Sequence, residues 1–152
     1  MRRLRDKWGA CMEYNSKWIG IPYKLGGRDF NGCDCVGLPY LFLKENNFDV
    51  PEYEPKKTLT PEIIRHFDSE MRKQEKWAKI FIDLKELKIG DILCFSLTRK
   101  SKVNHLAVYM GVGRFLHIIN KSSGSVLGVL TRDWKNRFKF AVRLKEKDGA
   151  SR

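Results

Sequence analysis

Five short runs rich in β-branched and aromatic residues fill the second half of the chain, and they constrain the fold more than any other feature. The runs are Asp91 to Leu97, His105 to Gly111, Arg114 to Ile119, Ser125 to Thr131 and Phe138 to Leu144. Glycines or polar turns separate them, and no gap holds the stretch of about a dozen residues that a crossover between parallel strands needs. The sequence therefore predicts an antiparallel sheet.

The first half of the chain has helical spacing instead. Apolar residues recur at steps of three and four from residue 3 to residue 19, which predicts an amphipathic helix ending at Gly20. The run from Cys35 to Phe48 is apolar nearly all round, as in a buried helix. Thr60-Pro61-Glu62 has the N-cap and first-turn proline of a further helix, to about Lys76. The expected fold class is α+β, with N-terminal helices packed on a central antiparallel β-sheet of about five to six strands.

Length and composition limit the classes of protein to which the chain can belong. Its 152 residues suit one domain, which we assign to residues 1–145, followed by a flexible tail at 146–152. A hydrophobic share of 42% excludes a disordered or fibrous chain. The apolar runs are shorter than the roughly 18 residues that a membrane span requires, so no membrane partner is predicted. Asp6 and Lys7 interrupt any apolar export segment, so no signal peptide is predicted.

The chain is strongly basic, with 30 Lys and Arg against 18 Asp and Glu and a formal charge of +12. This balance favours a polyanionic partner such as nucleic acid, an acidic membrane surface or an anionic cell wall. No recognised nucleic-acid motif accompanies the charge, so no specific nucleic-acid binding is predicted. A solvated basic surface is the simpler alternative for any one cluster.

One cysteine and two histidines stand where the predicted elements could bring them together. Cys35 lies between a glycine-rich loop and the apolar helix, and a helix N-terminus favours an anion and lowers a thiol's pKa. His105 and His117 hold corresponding places in two strands joined by the turn at Val112-Gly113. One imidazole could act as general base and the other could orient it, which would activate a cysteine for acyl transfer.

Other interpretations of these residues remain open. Cys35 could be an ordinary buried cysteine, and each histidine could belong to the core or the surface. Cys33, Cys35, His105 and His117 could be four zinc ligands, but their spacing matches no common structural zinc site, so neither a metal nor a cofactor is predicted. Cys33 could also bond to Cys35 in a regulatory way or be a passive loop thiol. His66 has no partner in the pattern and is interpreted as a surface residue.

Four ordered blocks carry a more specific signal. They are Pro22-Tyr23-Lys24-Leu25-Gly26-Gly27, then Gly32-Cys33-Asp34-Cys35-Val36-Gly37-Leu38, then Leu87-Lys88-Ile89-Gly90-Asp91-Ile92-Leu93, and finally His105-Leu106-Ala107-Val108-Tyr109-Met110-Gly111 with Phe115-Leu116-His117. Over about residues 20 to 145, this sequence resembles the NlpC family of papain-like cysteine peptidases. The order Cys, His, His and the twelve-residue step between the histidines agree with that family.

The resemblance implies roles for five residues. Cys35 would be the nucleophile, His105 the general base and His117 the third polar member, which orients His105. The hydroxyl of Tyr23 would lie beside the thiol, and Asp34 would help to hold the amino end of the substrate. Loop packing is the alternative for Tyr23, and a simple helix N-cap is the alternative for Asp34.

The resemblance also implies an activity, since such proteins cleave amide bonds of peptidoglycan stem peptides, commonly between D-glutamate and the diamino acid, through a thioester. Relatives of this size without a signal peptide are common in phage tails, so tail-tip proteins are expected partners. The expected location is the virion, or otherwise the cytoplasm.

Val36 stands where the family usually has Ser, which removes an expected substrate-side hydrogen bond. Pro39 is expected to delay or bend the helix after Cys35. The alternative is a catalytically weak or inactive structural component of a tail tip.

Overall fold

A six-stranded antiparallel sheet forms the centre of the computed structural model, which describes residues 2–5, 11–14, 16–48, 50, 77–98, 103–119 and 123–145. In chain order the strands are β1 Arg2–Arg5, β2 Cys11–Tyr14, β3 Arg28–Asp29, β4 Gly32–Cys33, β5 Trp77–Ile82, β6 Ile92–Phe95, β7 His105–Gly111, β8 Arg114–Ile118, β9 Ser125–Val129 and β10 Phe138–Leu144. The strand order in the central sheet is β5-β10-β6-β7-β8-β9, and every neighbouring pair is antiparallel. The predicted antiparallel sheet is confirmed, and β5 is a sixth strand beside the five runs.

The turn between β7 and β8 is as tight as the sequence indicates. Gly111 lies opposite Arg114, so Val112 and Gly113 form a two-residue connection. Their φ angles are 53° and 70°, the left-handed conformation that matches the twist of a hairpin. A register shift between Tyr109 and Gly111 then moves the pairing by one residue, so that Val108 lies opposite Leu116 on the way to His105 and His117.

The amphipathic helix predicted over residues 3 to 19 is wrong. β1 and β2 pair as an antiparallel hairpin with Leu4 opposite Met12, and a short 3-10 helix follows at Ser16–Trp18. Apolar residues at these positions suit the register of two paired strands as well as one helical face, so local periodicity could not decide between them. The helix predicted from residue 60 to about 76, which carries His66, lies outside the described residues. The predicted tail at 146–152 lies outside them too.

The helix after Cys35, α1, runs from Gly37 to Glu45 and is buried as predicted. Pro39 is its third residue, a position where the backbone N–H has no partner within the helix, so proline is tolerated there. The helix therefore begins two residues after Cys35, within the range predicted from the sequence. None of the helices in the described ranges is long and apolar enough to cross a bilayer.

Alternate residues of the sheet face two separate hydrophobic clusters. The helix-side core packs the strands against α1 and includes Leu38, Phe42, Leu106, Val108 and Leu116. The far-side core includes Leu93, Phe95, Ala107, Phe115 and Ala141. A second short helix, α2 Arg132–Arg137, adds Trp134 to the far-side core. The candidate site lies where the start of β7 joins these two cores.

Candidate active site

Asp34 organises the loop that carries Cys35 into α1. The side chain is 1% exposed, and both oxygens of its carboxylate are engaged. It accepts hydrogen bonds from the backbone N–H groups of Gly26 at 2.8 Å, Val36 at 3.1 Å and Gly37 at 2.7 Å, and from the guanidinium of Arg28 at 3.0 Å. Asp34 thus satisfies two N–H groups at the start of α1, as a helix N-cap does. Its contact with a substrate stays a prediction.

Glycines let this loop and the helix approach each other closely. A Cβ atom on Gly37 would overlap the carbonyl oxygen of Gly27, and one on Gly27 would overlap the carbonyl oxygen of Gly32. No side chain fits at either contact. The glycines in the first two sequence blocks therefore set the backbone position of Cys35.

The Cys35 thiol is buried beside the start of β7. Its residue is 6% exposed, and the backbone N–H of Leu106 lies next to the sulfur. Burial, and then the negative charge of Asp34, raises the pKa of the thiol to about 12. The lowered pKa expected at a helix N-terminus is wrong, because the desolvation of the thiolate and the charge of Asp34 outweigh the favourable N–H groups and Arg28. Near neutral pH the Cys35 thiol is therefore protonated.

His105 and His117, which the predicted hairpin could bring near each other, form a direct hydrogen bond. Nε2 of His105 lies 2.9 Å from Nδ1 of His117, and the residues are 2% and 5% exposed. Burial, and then the neighbouring His117, lowers the pKa of His105 to about 3, and burial lowers the pKa of His117 to about 4. Both rings are therefore neutral near pH 7. If His105 donates in this bond, its other ring nitrogen, Nδ1, carries the lone pair that a general base needs.

The histidine pair and Cys35 lie on opposite sides of the sheet. Both imidazoles contact aromatic rings of the far-side core, whereas Cys35 belongs to the helix-side core. They are linked at the start of β7, because Leu106, whose N–H lies beside the thiol, directly follows His105. A direct approach of the His105 ring to the thiol stays a prediction from the resemblance.

Tyr23 pairs with Cys33, which lies two residues before Cys35 in the loop. Tyr23 is half-buried and forms a parallel β-bridge with Cys33, supported by a hydrogen bond of 2.9 Å from Lys24 N–H to the Cys33 carbonyl. Cys33 is a buried free thiol whose Sγ lies 3.2 Å from the carbonyl oxygen of Asp29. The role of the Tyr23 hydroxyl stays a prediction. Across the described ranges, no three His, Cys, Asp or Glu side chains are grouped as a metal site would require.

Two residues at the histidine pair were missed by the sequence analysis. Trp134 lies against both imidazoles, and Gly128 faces Nε2 of His117, where an added Cβ would lie 3.2 Å away. Trp134 had a weak signal in the sequence, since it is the one aromatic residue in the polar run from Arg132 to Arg137. Gly128 had none, because its neighbours come from another strand.

A protein-family model matches the part of the sequence that forms this site. A model of the NlpC/P60 family matches residues 20–143, which include the loop, α1, β7, β8 and all but the last residue of β10. The chain belongs to the NlpC/P60 family. The family resemblance stated from the sequence is thereby confirmed.

Several curated NlpC/P60-type relatives are similar to this chain. The gamma-D-glutamyl-L-lysine dipeptidyl-peptidase of Bacillus subtilis is 28% identical over 115 residues, and the gamma-DL-glutamyl hydrolase of the same organism is 30% identical over 124 residues. These matches cover 75% and 80% of this chain, but only 32% and 25% of those proteins. The murein DD-endopeptidase MepS/murein LD-carboxypeptidase of Escherichia coli is 26% identical, with 91% of this chain and 64% of that protein covered. The chain thus spans about a third or less of the first two.

Solved structures show the same fold. The NlpC/p60 domain of the peptidoglycan hydrolase SagA aligns with a TM-score of 0.54 and 24% identity, covering 84% of this chain and 91% of that one. An NlpC/P60 family protein from Bacillus cereus aligns with a TM-score of 0.58 and 23% identity, covering 83% and 36%. The predicted α+β NlpC fold is confirmed.

Proposed function

We propose that this NlpC/P60 chain is a cysteine peptidase that hydrolyses amide bonds of peptidoglycan stem peptides, of the D-glutamyl-diamino acid type. The observation that carries the proposal is the buried hydrogen bond between His105 and His117. The residue after His105 on β7, Leu106, has its backbone N–H beside the Cys35 thiol. The printed names of the relatives, which include a gamma-D-glutamyl-L-lysine peptidase and a murein endopeptidase, support this substrate class.

The proposed general-base mechanism starts from a neutral thiol and a neutral imidazole. Because the thiol is protonated and His105 is neutral near pH 7, the proton moves from Cys35 to Nδ1 of His105 as the sulfur attacks the carbonyl carbon. His105 then carries a positive charge, and its Nε2–H donates to Nδ1 of His117, which stabilises that charge and holds the ring. We assign the oxyanion donor to the backbone N–H of Cys35, two residues before α1.

The remaining steps return each group to its starting state. His105 gives its proton to the leaving amine, the C–N bond breaks, and a thioester to Cys35 remains. Water then loses a proton to His105 and attacks the thioester carbonyl. The C–S bond breaks, the carboxylic acid product leaves, and the thiol regains its proton from His105.

Release of peptide fragments from purified peptidoglycan, measured by mass spectrometry, tests the proposal and identifies the bond. Wild type and Cys35→Ala are compared at equal folded concentration. Cys94→Ala is the matched control, because it also removes one buried thiol. We expect fragments from wild type and Cys94→Ala but none from Cys35→Ala. Equal release by Cys35→Ala would overturn the assignment of the nucleophile.

The burial and the raised pKa of Cys35 favour a second candidate function, a weakly active or inactive structural component. A thiol that is 6% exposed with a pKa of about 12 is a slow nucleophile until a proton acceptor reaches it. The same experiment separates the two functions. No fragments from folded wild type, together with no alkylation of Cys35 near neutral pH, would favour the structural role.

We further propose that the protein acts in a phage tail, with tail-tip proteins as partners. This proposal rests on the resemblance alone. Mass spectrometry of purified virions tests it, since a tail component must be present there in stoichiometric amount. Recovery only from the host cytoplasm would contradict it.

A further inference from the structure

Trp134 of α2 lies at the centre of an aromatic cluster that covers the histidine pair. Its ring centroid is 4.9 Å from that of Phe95, 5.0 Å from Phe115, 5.2 Å from His117 and 6.0 Å from His105. It meets His117 edge to face at 84°. One side chain thus contacts both partners of the His105–His117 hydrogen bond, and also the two phenylalanines beside them.

Both ends of α2 are anchored, so the position of Trp134 is defined. The Thr131 hydroxyl oxygen caps the helix and accepts the Trp134 backbone N–H at 3.4 Å. At the other end, Arg137 donates to the carbonyl oxygen of Leu97 at 3.2 Å, and its own carbonyl accepts the N–H of Ser96 at 2.8 Å. These bonds tie α2 to the segment just after β6, the strand that pairs with β7.

The far side of the histidine pair has apolar neighbours besides Trp134. Phe95 comes from β6, Phe115 from β8 and Gly128 from β9, and none of these carries a titratable group. Among the described residues, the charged group against this cluster is Arg137, whose guanidinium lies 5.9 Å from the Trp134 ring centroid. The Cys35 thiol, which is titratable but neutral near pH 7, lies beside the N–H of Leu106 on β7. Trp134 is half-buried and lies between the rings and the exposed residues of α2.

We propose that Trp134 is a positioning residue that excludes water from the His105–His117 hydrogen bond and holds both rings in the geometry of that bond. It acts through the histidines and does not itself touch the reacting atoms. The inference rests on the proposed function for its catalytic meaning, but the state of the histidine pair can be measured without any substrate.

Removing the indole would admit water to both rings. Water solvates an imidazolium much better than apolar side chains do, so the cost of charging each histidine would fall and each pKa would rise toward 6.5. The bond between the rings would also loosen, because two faces that now touch Trp134 would be open. A larger pKa shift is expected for His117, which is closer to Trp134.

The experiment is an NMR titration of the ¹⁵N-labelled histidine rings in wild type, Trp134→Leu and Trp134→Phe. Trp18→Leu is the matched control, because Trp18 is an equally large aromatic side chain that packs on Phe42 in the helix-side core. We expect Trp134→Leu to raise the midpoint of His117 by about one pH unit or more, a tenfold change in proton affinity. Trp134→Phe should raise it less, and Trp18→Leu should leave it unchanged.

Two outcomes would overturn the proposal. One is an unchanged titration of both histidines in folded Trp134→Leu, and the other is an equal shift in Trp18→Leu. If Trp134→Leu does not fold, Trp134→Phe decides through exchange of the His105 ring N–H with solvent, which must be at least several-fold faster than in wild type. An unchanged exchange rate would refute the proposal. Because neither readout needs catalysis, failure of the proposed peptidase activity would leave this test intact.

Discussion

The buried neutral histidine pair predicts a specific loss of stability in mild acid. The pKa values of His105 and His117 are lowered to about 3 and about 4 in the folded protein, against 6.5 for an exposed histidine. Above pH 6.5 neither state binds these protons, so the pair carries no penalty. Below pH 6.5 the histidines of the unfolded chain bind protons, whereas those of the folded chain stay neutral. The free energy of unfolding therefore decreases as the pH is lowered, until the folded pair itself becomes charged.

The size of this effect follows from the same pKa values. At about pH 5 the native pair is still neutral, and the pH is about 1.5 units below the unfolded pKa of each histidine. At about 1.36 kcal/mol per unit, each contributes a loss of about 2 kcal/mol, and the pair about 4 kcal/mol. Domains are commonly stable by only about 5–15 kcal/mol, so the loss is a large share of the total.

Urea unfolding at about pH 7 and about pH 5, followed by tryptophan fluorescence, measures this loss. We compare wild type with the double variant His105→Gln/His117→Gln, in which the titrating groups are absent. Carboxylates titrate in both proteins and contribute equally to the loss of stability between about pH 7 and about pH 5. The loss in wild type minus the loss in the double variant is therefore the part due to His105 and His117. His66→Gln, which changes the remaining histidine of the chain, is the control and should behave as wild type. If the double variant loses as much stability as wild type, the reasoning is refuted.

Two further changes test the packing around the site. Arg143 binds both oxygens of the fully buried Asp91 at 2.7 Å, so Arg143→Met removes the positive charge that faces a buried carboxylate and should cost about 3–5 kcal/mol in urea unfolding. Asp91→Asn/Arg143→Met should recover part of this loss, and a cost below about 1 kcal/mol for the single variant would contradict the prediction. Gly128→Ala would place a methyl group 2.7 Å from the ring of Phe115, which must shift. We therefore expect the free energy of unfolding to fall by about 1–3 kcal/mol and kcat on peptidoglycan fragments to fall as well. Wild-type values for both quantities would contradict this prediction.

Much of the central sheet and the pairing of the two histidines could be predicted from the sequence. The predicted run from His105 to Gly111 coincides with β7, and the run from Phe138 to Leu144 coincides with β10. Alternating patterns and tight turns are local properties, and the turn at Val112-Gly113 makes β7 and β8 neighbours. The register shift between Tyr109 and Gly111 was not predicted; it pairs Val108 with Leu116 and so puts His105 and His117 on the same side of the sheet.

The N-terminal segment shows where local reasoning failed. The spacing of its apolar residues suited a helix, yet β1 and β2 pair as strands. Short segments have little intrinsic preference of their own, since an isolated helix is marginal in water and its final structure depends on what it packs against. That partner is not visible in the local pattern.

The sequence by itself determined the antiparallel sheet, the helix after Cys35 and the family whose motifs surround the cysteine and the two histidines. Only the tertiary structure decided the charge state of these groups and the enclosure by Trp134. The pKa of Cys35 is raised rather than lowered because burial and the charge of Asp34 act together on the thiolate. Such an effect depends on how many atoms replace water around a group, and those atoms come from distant parts of the chain.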